Sequence, residues 1–177
     1  MPSGHAHDAI TVLLAAPAAV LTFAFTRDLT TAAIVGAAFI FAGVMFGPDL
    51  DTKSKQYSRW GPLRAIWLPY RTIFPHRSRW SHGLIFGTLF RVIYFLGVAT
   101  LVSFAAFAVY GYFASDGIPG FANFVHGWES IGRMTGSSST FELLLAICAG
   151  MWTGAASHTI TDIAHTYIKT GRVNALF

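Results

Sequence analysis

The chain has 177 residues, 54% of them hydrophobic and 11% charged, with a formal net charge of +4. A soluble domain carries about 25% charged residues, so this composition excludes an ordinary water-soluble globule and points to a membrane protein. The positive balance does not indicate nucleic acid, because the basic residues flank apolar runs, where anionic lipid is the nearer partner.

A bilayer-crossing helix needs about 20 apolar residues, and four runs approach or exceed that length: residues 9–26, 30–46, 84–114 and 141–157. The first has no basic flank before it and no clear small-residue cleavage site after it, which argues against a cleaved signal peptide. Lys53, Lys55, Arg59, Arg64, Arg71, Arg77 and Arg79 lie between the second and third runs, and Lys169 and Arg172 follow the fourth, whereas the opposite side holds only Arg27 and Arg133. Positive loops stay in the cytoplasm. Both termini and segment 48–83 are therefore expected on the inner, cytoplasmic face of the membrane. A short hairpin near Asp28 and a Ser/Gly-rich loop over 115–140 are expected outside.

Segment 48–83 is too long to be structureless. Leu63, Ile66, Trp67, Tyr70, Ile73 and Phe74 recur at helical spacing, which predicts an amphipathic helix on the membrane surface. Pro62 suits its first turn and Pro69 should bend or split it. Trp60, Trp67, Tyr70 and Trp80 fit an aromatic belt at headgroup depth. Ser81 is placed to cap the third span, and Arg91, two turns inside it, to snorkel toward the headgroups. Gly150 and Gly154 in the fourth span form a small-xxx-small helix contact. Cys148 reads as a small packing residue, and a lone cysteine offers neither an intramolecular disulfide nor a thiolate cluster. The fold expected is all-α: a single-domain integral membrane four-helix bundle with a cytoplasmic-side interfacial helix.

On this topology the histidines and aspartates gather on one face. His5, His7 and Asp8 open the first span, Asp49 and Asp51 close the second, His76 and His82 precede the third, and His158, Asp162 and His165 leave the fourth. Positions 158, 162 and 165 are i, i+4 and i+7, one side of a helix continuing the fourth span inward. An imidazole and a carboxylate so placed can hold a metal. Asp49 and Asp51 meet the unfavourable end of a helix dipole, at about 0.3–1 kcal/mol each, a cost that a bound cation offsets. His5 ranks below His7 as a ligand, and His126, in the outer loop, lies out of reach. Imidazoles and carboxylates without thiolate favour zinc, manganese or iron. His7, Asp8, Asp49, Asp51, His76, His82, His158, Asp162 and His165 are more ligands than one ion uses, so two or three ions are expected, spaced about 3.5–4 Å as in two-metal hydrolases.

"MPSGHAHD", "GPDLDTKSKQYSRWGPLRAIWLPYR", "PHRSRWSHG" and the His158/Asp162 pair resemble a bacterial family of integral membrane proteins described as metal-binding. That family is similar to the LexA-regulated inner-membrane metal-dependent hydrolases and, more loosely in ligand pattern, to zinc-dependent phospholipase C. The resemblance implicates His7, Asp8, Asp49, Asp51, His76, His82, His158 and Asp162. His5 and His165 rest on spacing alone, and the phospholipase's chain-terminal tryptophan ligand has no counterpart here.

The activity expected is hydrolysis of a phosphoester or phospholipid-like substrate at the inner face. Asp51 or Asp162 would carry the proton, Arg77 and Arg79 would hold an anionic group, and Ser78 and Ser81 would orient their neighbours. The alternative is a metal-binding carrier or sensor without hydrolysis. Transport fits poorly, since ion sites of transporters lie near the bilayer midplane and the middles of these spans carry no ionisable residue.

Overall fold

The computed structural model describes residues 3–76, 78–114, 121–136 and 138–171, and every regular element among them is helical. Two compact units are formed, residues 1–92 with 145–177, and residues 93–144. Among the described residues, four helical stretches are long and apolar enough to cross a membrane: Gly4–Thr26, Leu29–Asp51, Phe86–Phe113 and Ser139–Thr170.

In the first unit, α1 (Gly4–Thr26) starts on Ser3, whose side chain accepts the Ala6 amide. It ends at Arg27, which takes a left-handed φ of 55° and returns its amide to Phe23. Asp28 then caps α2 (Leu29–Val44) by accepting the amides of Thr30 and Thr31, which yields the expected tight hairpin. Small residues let the helices close up. A side chain at Gly43 would collide with Thr11 of α1, and one at Gly150 or Gly154 with the α2 backbone at Val35 or Phe39. The Gly150/Gly154 pair of α8 (Ser138–Thr170) is thus the helix contact its spacing suggests. Cys148, by contrast, is exposed on α8.

The expected surface helix over the connector is broken into pieces. A 3-10 turn at Pro48–Asp51 leads to α3 (Lys55–Arg59), a 3-10 run over Gly61–Trp67, α4 (Leu68–Ile73) and α5 (Arg79–His82). Gly61, with φ of 54°, breaks the path, and at Pro69, in the first turn of α4, the stripe is split as its proline suggested. The apolar stripe divides accordingly. Trp67 and Tyr70 are fully buried, whereas Leu63 and Ile73 are exposed. Of the four aromatics assigned to the headgroup belt, Trp80 is exposed; Trp67 instead packs edge-on against Phe46, Trp60 and Tyr70 in the core.

This connector docks beneath α2 by satisfying its last carbonyls, which a helix end leaves without partners. Gln56 Nε2 donates to the Gly43 carbonyl at 2.7 Å, an Arg59 guanidinium nitrogen to Val44 at 2.7 Å, and Trp60 Nε1 to Met45 at 2.8 Å.

Two further expectations change at α6 (Phe86–Ala114). Arg91 does not snorkel: it is 2% exposed and turns inward to donate to the Ser81 carbonyl at 2.6 Å and Thr88 Oγ1 at 3.1 Å. Ser81 does not cap α6, since its hydroxyl faces Pro75, Ser78 and His82. Gly87 permits this approach, because a Cβ there would meet the Ser81 carbonyl oxygen at 2.5 Å.

In the second unit, where a Ser/Gly-rich loop was expected, residues Phe121–Thr135 form α7. Phe121 and Phe124 pack against Phe104, and Phe124 also meets Phe107, both on α6. His126, Glu129, Ser130 and Arg133 form an exposed polar side.

The α2–α8 contact gives a direct test of packing. Gly154→Ala should destabilise the folded protein by about 1–3 kcal/mol, the usual cost of overpacking. Gly97→Ala, whose new methyl meets nothing within 4 Å, should be neutral or stabilise by up to about 1 kcal/mol through helix propensity. Denaturant unfolding in detergent compares the two.

Candidate metal centre

The connector's docking brings residues from four places in the chain to one spot. α8 continues past Gly154 as an unbroken helix, so His158 and Asp162 stand on its same face. There they meet His7 from the first turns of α1. All three are buried, at 5%, 2% and 2% exposure for His7, His158 and Asp162. His7 Nε2 lies 3.2 Å from Asp162 Oδ1, and His158 Nε2 lies 3.8 Å from Asp162 Oδ2. The imidazoles of His7 and His158 stack with centroids 3.8 Å apart. Their ligand atoms form one grouping able to hold a metal ion.

A second such grouping consists of Asp49, His76 and His82. His82 is buried and its Nε2 lies 3.5 Å from Asp49 Oδ1. Asp49 connects the two groupings, because its other oxygen, Oδ2, lies 3.5 Å from His158 Nε2. Gln56 fixes this carboxylate's backbone by accepting the Asp49 amide at 3.2 Å, and its amide nitrogen rests 3.3 Å from His158 Nδ1.

Behind the second grouping stands Asp51. Its Oδ1 accepts from His76 Nδ1 at 2.8 Å, and its Oδ2 lies 3.4 Å from His82 Nδ1. Ser81 Oγ is 3.0 Å from the same His82 nitrogen. A carboxylate or hydroxyl at Nδ1 orients an imidazole and leaves Nε2 free for a cation. The α5 segment carrying His82 is held in turn by Arg91 at the Ser81 carbonyl and by Thr159 Oγ1, which donates to the His82 carbonyl at 3.3 Å.

The residues present fit a metal. Buried atoms without a hydrogen-bond partner include His82 Nε2, His158 Nε2, Asp49 Oδ1 and both oxygens of Asp162. Each buried polar atom left so costs about 1–3 kcal/mol, and each of these lies 3.2–3.8 Å from another imidazole nitrogen or carboxylate oxygen of the cluster. Two donors bound to one zinc ion at about 2.0–2.2 Å in tetrahedral geometry stand about 3.3–3.6 Å apart. The separations of 3.2, 3.5, 3.5 and 3.8 Å observed here bracket that range. Without a cation, burial opposes charge on His82, but the facing carboxylates of Asp49 and Asp51 outweigh it and raise the imidazole's pKa above its ordinary value. The cluster thus attracts a positive charge, whether proton or metal.

Several expected site residues lie elsewhere. Asp8 is outside both groupings, turned to Arg59, which grips both of its oxygens, and to Lys55 Nζ at 2.8 Å. His5 is exposed, with Nδ1 2.9 Å from Lys55 Nζ. His165 lies further along α8, outside both groupings, although its Nε2 is buried without a partner. Asp51 orients ligands from behind. Ser81 is fully buried against His82 and cannot face a substrate, and Ser78 caps α5 by accepting the Ser81 amide. Arg77 and the Arg79 side chain lie outside the described residues. His126 pairs with Glu129 in the other unit. Gln56, Thr159, Lys55 and Arg59 are parts of the site's surroundings that no spacing in the sequence indicated.

Metal analysis of purified variants tests the arrangement. Asp49→Ala should lower bound metal more than His158→Ala or His76→Ala alone, because it removes the carboxylate of the second grouping and the oxygen that faces His158 of the first. His126→Ala should leave the content unchanged. Zinc affinity should fall as the pH drops from about 7 to about 5, since protons compete for the same imidazoles; isothermal titration measures this.

The model of the family described as "Uncharacterized metal-binding protein (DUF2227)" matches residues 2–172. No curated protein and no solved structure matches. The metal-binding part of the resemblance seen in the sequence therefore stands, while the likeness to LexA-regulated hydrolases and phospholipase C gains nothing from these comparisons. Through this match over nearly its whole length, and with two His/Asp groupings joined at Asp49, the chain belongs to that family of metal-binding proteins.

Proposed function

We propose that this protein is a membrane-embedded, metal-dependent hydrolase of phosphoester substrates, with its site at the cytoplasmic face. The observation that carries this reading is the Asp49 carboxylate set between two groupings of imidazole and carboxylate, the donor arrangement of a paired-cation site. A closed structural zinc site needs four ligands at a single ion, whereas here two groupings share an acid and one of them, through His76, reaches the surface with its side chain 39% exposed.

Bound divalent ions, zinc first and manganese or iron as alternatives, supply activation of water near neutral pH and stabilisation of charge on the phosphoryl oxygens. The chain's own groups do the rest. His7, His158 and Asp162 supply one set of donors and His76 and His82 the other, with Asp49 common to both. Asp51 holds the Nδ1 proton of His76, which keeps Nε2 of that ring available. This assigns Asp162 to ligation and Asp51 to orientation in place of the proton-carrying role first expected of them. The packed helices α1, α2 and α8 and the buried Trp67 and Tyr70 exclude bulk water from the inner side of the cluster.

The membrane location and orientation rest on the four apolar helices and on the basic residues gathered in segment 48–83. Labelling of single cysteines introduced at Lys53 and at Glu129 in spheroplasts should modify only the latter.

Purified protein loaded with zinc should hydrolyse phosphomonoesters or phosphodiesters. Asp49→Asn should lower kcat/KM by at least about 100-fold, in line with the loss of a metal-centre group. Stoichiometric metal with no turnover of any phosphoester would assign the chain instead to metal carriage or sensing.

A further inference from the structure

We infer that the cavity between the first turn of α1 and α3 is an anion subsite that takes one phosphate group of the substrate, with Lys55 as its exchangeable cation. The inference rests on the metal-dependent reading above. The cavity measures about 220 Å3, and its lining includes Gly4, His7, Asp49, Lys55, Gln56 and His158. One wall is therefore the metal-directed cluster, including the unpartnered Nε2 of His158. The facing wall carries Lys55 and Arg59 around the one carboxylate of Asp8.

Lys55 and Arg59 both reach the single carboxylate of Asp8, which leaves one positive charge uncompensated. The two cations differ in freedom. Arg59 is committed to both oxygens of Asp8 and to the Val44 carbonyl. Lys55 has one ammonium hydrogen bond to Asp8 and a contact with His5, and its side chain is 37% exposed. An ammonium has three donors, and the third has no partner among the described residues.

The start of α1 adds to the attraction. Its first turn carries no acidic residue. The Ser3 side chain takes the Ala6 amide and the Ser3 carbonyl takes the His7 amide, so the Gly4 and His5 amides remain at the positive end of the helix dipole. Gly4 itself makes room, because a Cβ there would press on the Lys55 stem at 3.2–3.3 Å.

The size of the space selects the ligand. Pockets for whole drug-sized molecules measure about 300–1,000 Å3, so this one suits a headgroup-sized anion. A phosphate has oxygens enough to meet a cation held at His7 and His158, the Lys55 ammonium and the Gly4 and His5 amides together, whereas a carboxylate has only two. Asp49 on the same wall repels an anion until cations are bound, so occupancy should require metal.

The test measures binding of inorganic phosphate to the purified zinc-loaded protein by isothermal titration, with metal content determined in parallel. Lys55→Gln should weaken phosphate binding by at least about 10-fold, as expected for loss of a charged hydrogen bond, at unchanged zinc content. Lys55→Arg should retain most of the affinity. Wild-type affinity in zinc-loaded Lys55→Gln would overturn the subsite and leave the metal site standing, as would zinc-loaded wild type that binds no phosphate. Loss of zinc along with phosphate in Lys55→Gln would also overturn it, since the lysine would then be structural. Failure of wild type to hold zinc would remove the underlying metal reading and the subsite with it. Nanodiscs containing phosphatidic acid, compared with phosphatidylcholine alone, identify the source of the phosphate. Competition by the former assigns a lipid headgroup and its absence a soluble ester, and either result upholds the subsite.

Discussion

The carboxylate of Asp49 faces an imidazole on each side, His82 through Oδ1 and His158 through Oδ2, both at 3.5 Å. Those separations are long for hydrogen bonds, and Asp49 Oδ1, His82 Nε2 and His158 Nε2 are buried with no hydrogen-bond partner. In an otherwise apolar protein such an arrangement is unfavourable unless something positive lies between the donors. Most of the surrounding structure serves to hold this one acid in place. The Gln56 side chain reads its backbone amide, α3 is docked under α2 by three side chains that satisfy the helix's last carbonyls, and the small residues of α1, α2 and α8 bring His7 and His158 within reach of it.

The same logic explains the buried Arg91. A guanidinium in the core is costly unless its donors are used, and here it clamps the Ser81 carbonyl next to the ligand-bearing His82. Charge is thus not scattered through the apolar interior. Arg91, Asp51 and Ser81 all act on the position of His82, while Arg59 and Lys55 act on Asp8 at the opposite side of the cluster. This gives a layered site in which inner groups meet the cation and outer groups fix their orientation.

How much of this was legible in the chain depended on whether the signal was local. His158 and Asp162 were readable because helical spacing alone puts them on one face, and His76 and His82 because two imidazoles beside a span stand out in a charge-poor sequence. Asp8 looked equally good as a ligand, but whether an acid at a helix start meets a metal or a base depends on tertiary pairing with Lys55 and Arg59, which no local pattern encodes. Trp67 and Tyr70 are buried against the protein's own aromatics, which an amphipathic stripe did not reveal because it predicts burial without saying against what. Pro69 marked one break in that stripe, and Gly61 was the second cue that it is not one helix. The α7 helix was overlooked because Gly and Ser dominated the reading of 115–140, although Phe121, Phe124, Trp128 and Ile131 recur there at helical intervals.

The central claim is that one carboxylate is shared between two cation positions. An anomalous difference map from crystals of the zinc-loaded protein, collected at the zinc edge, tests it most directly. The account expects two peaks on either side of the Asp49 carboxylate, one contacted by His158 and the other by His82. A single peak that Asp49 does not touch, or zinc held only by exposed residues such as His5 and His126, would contradict it.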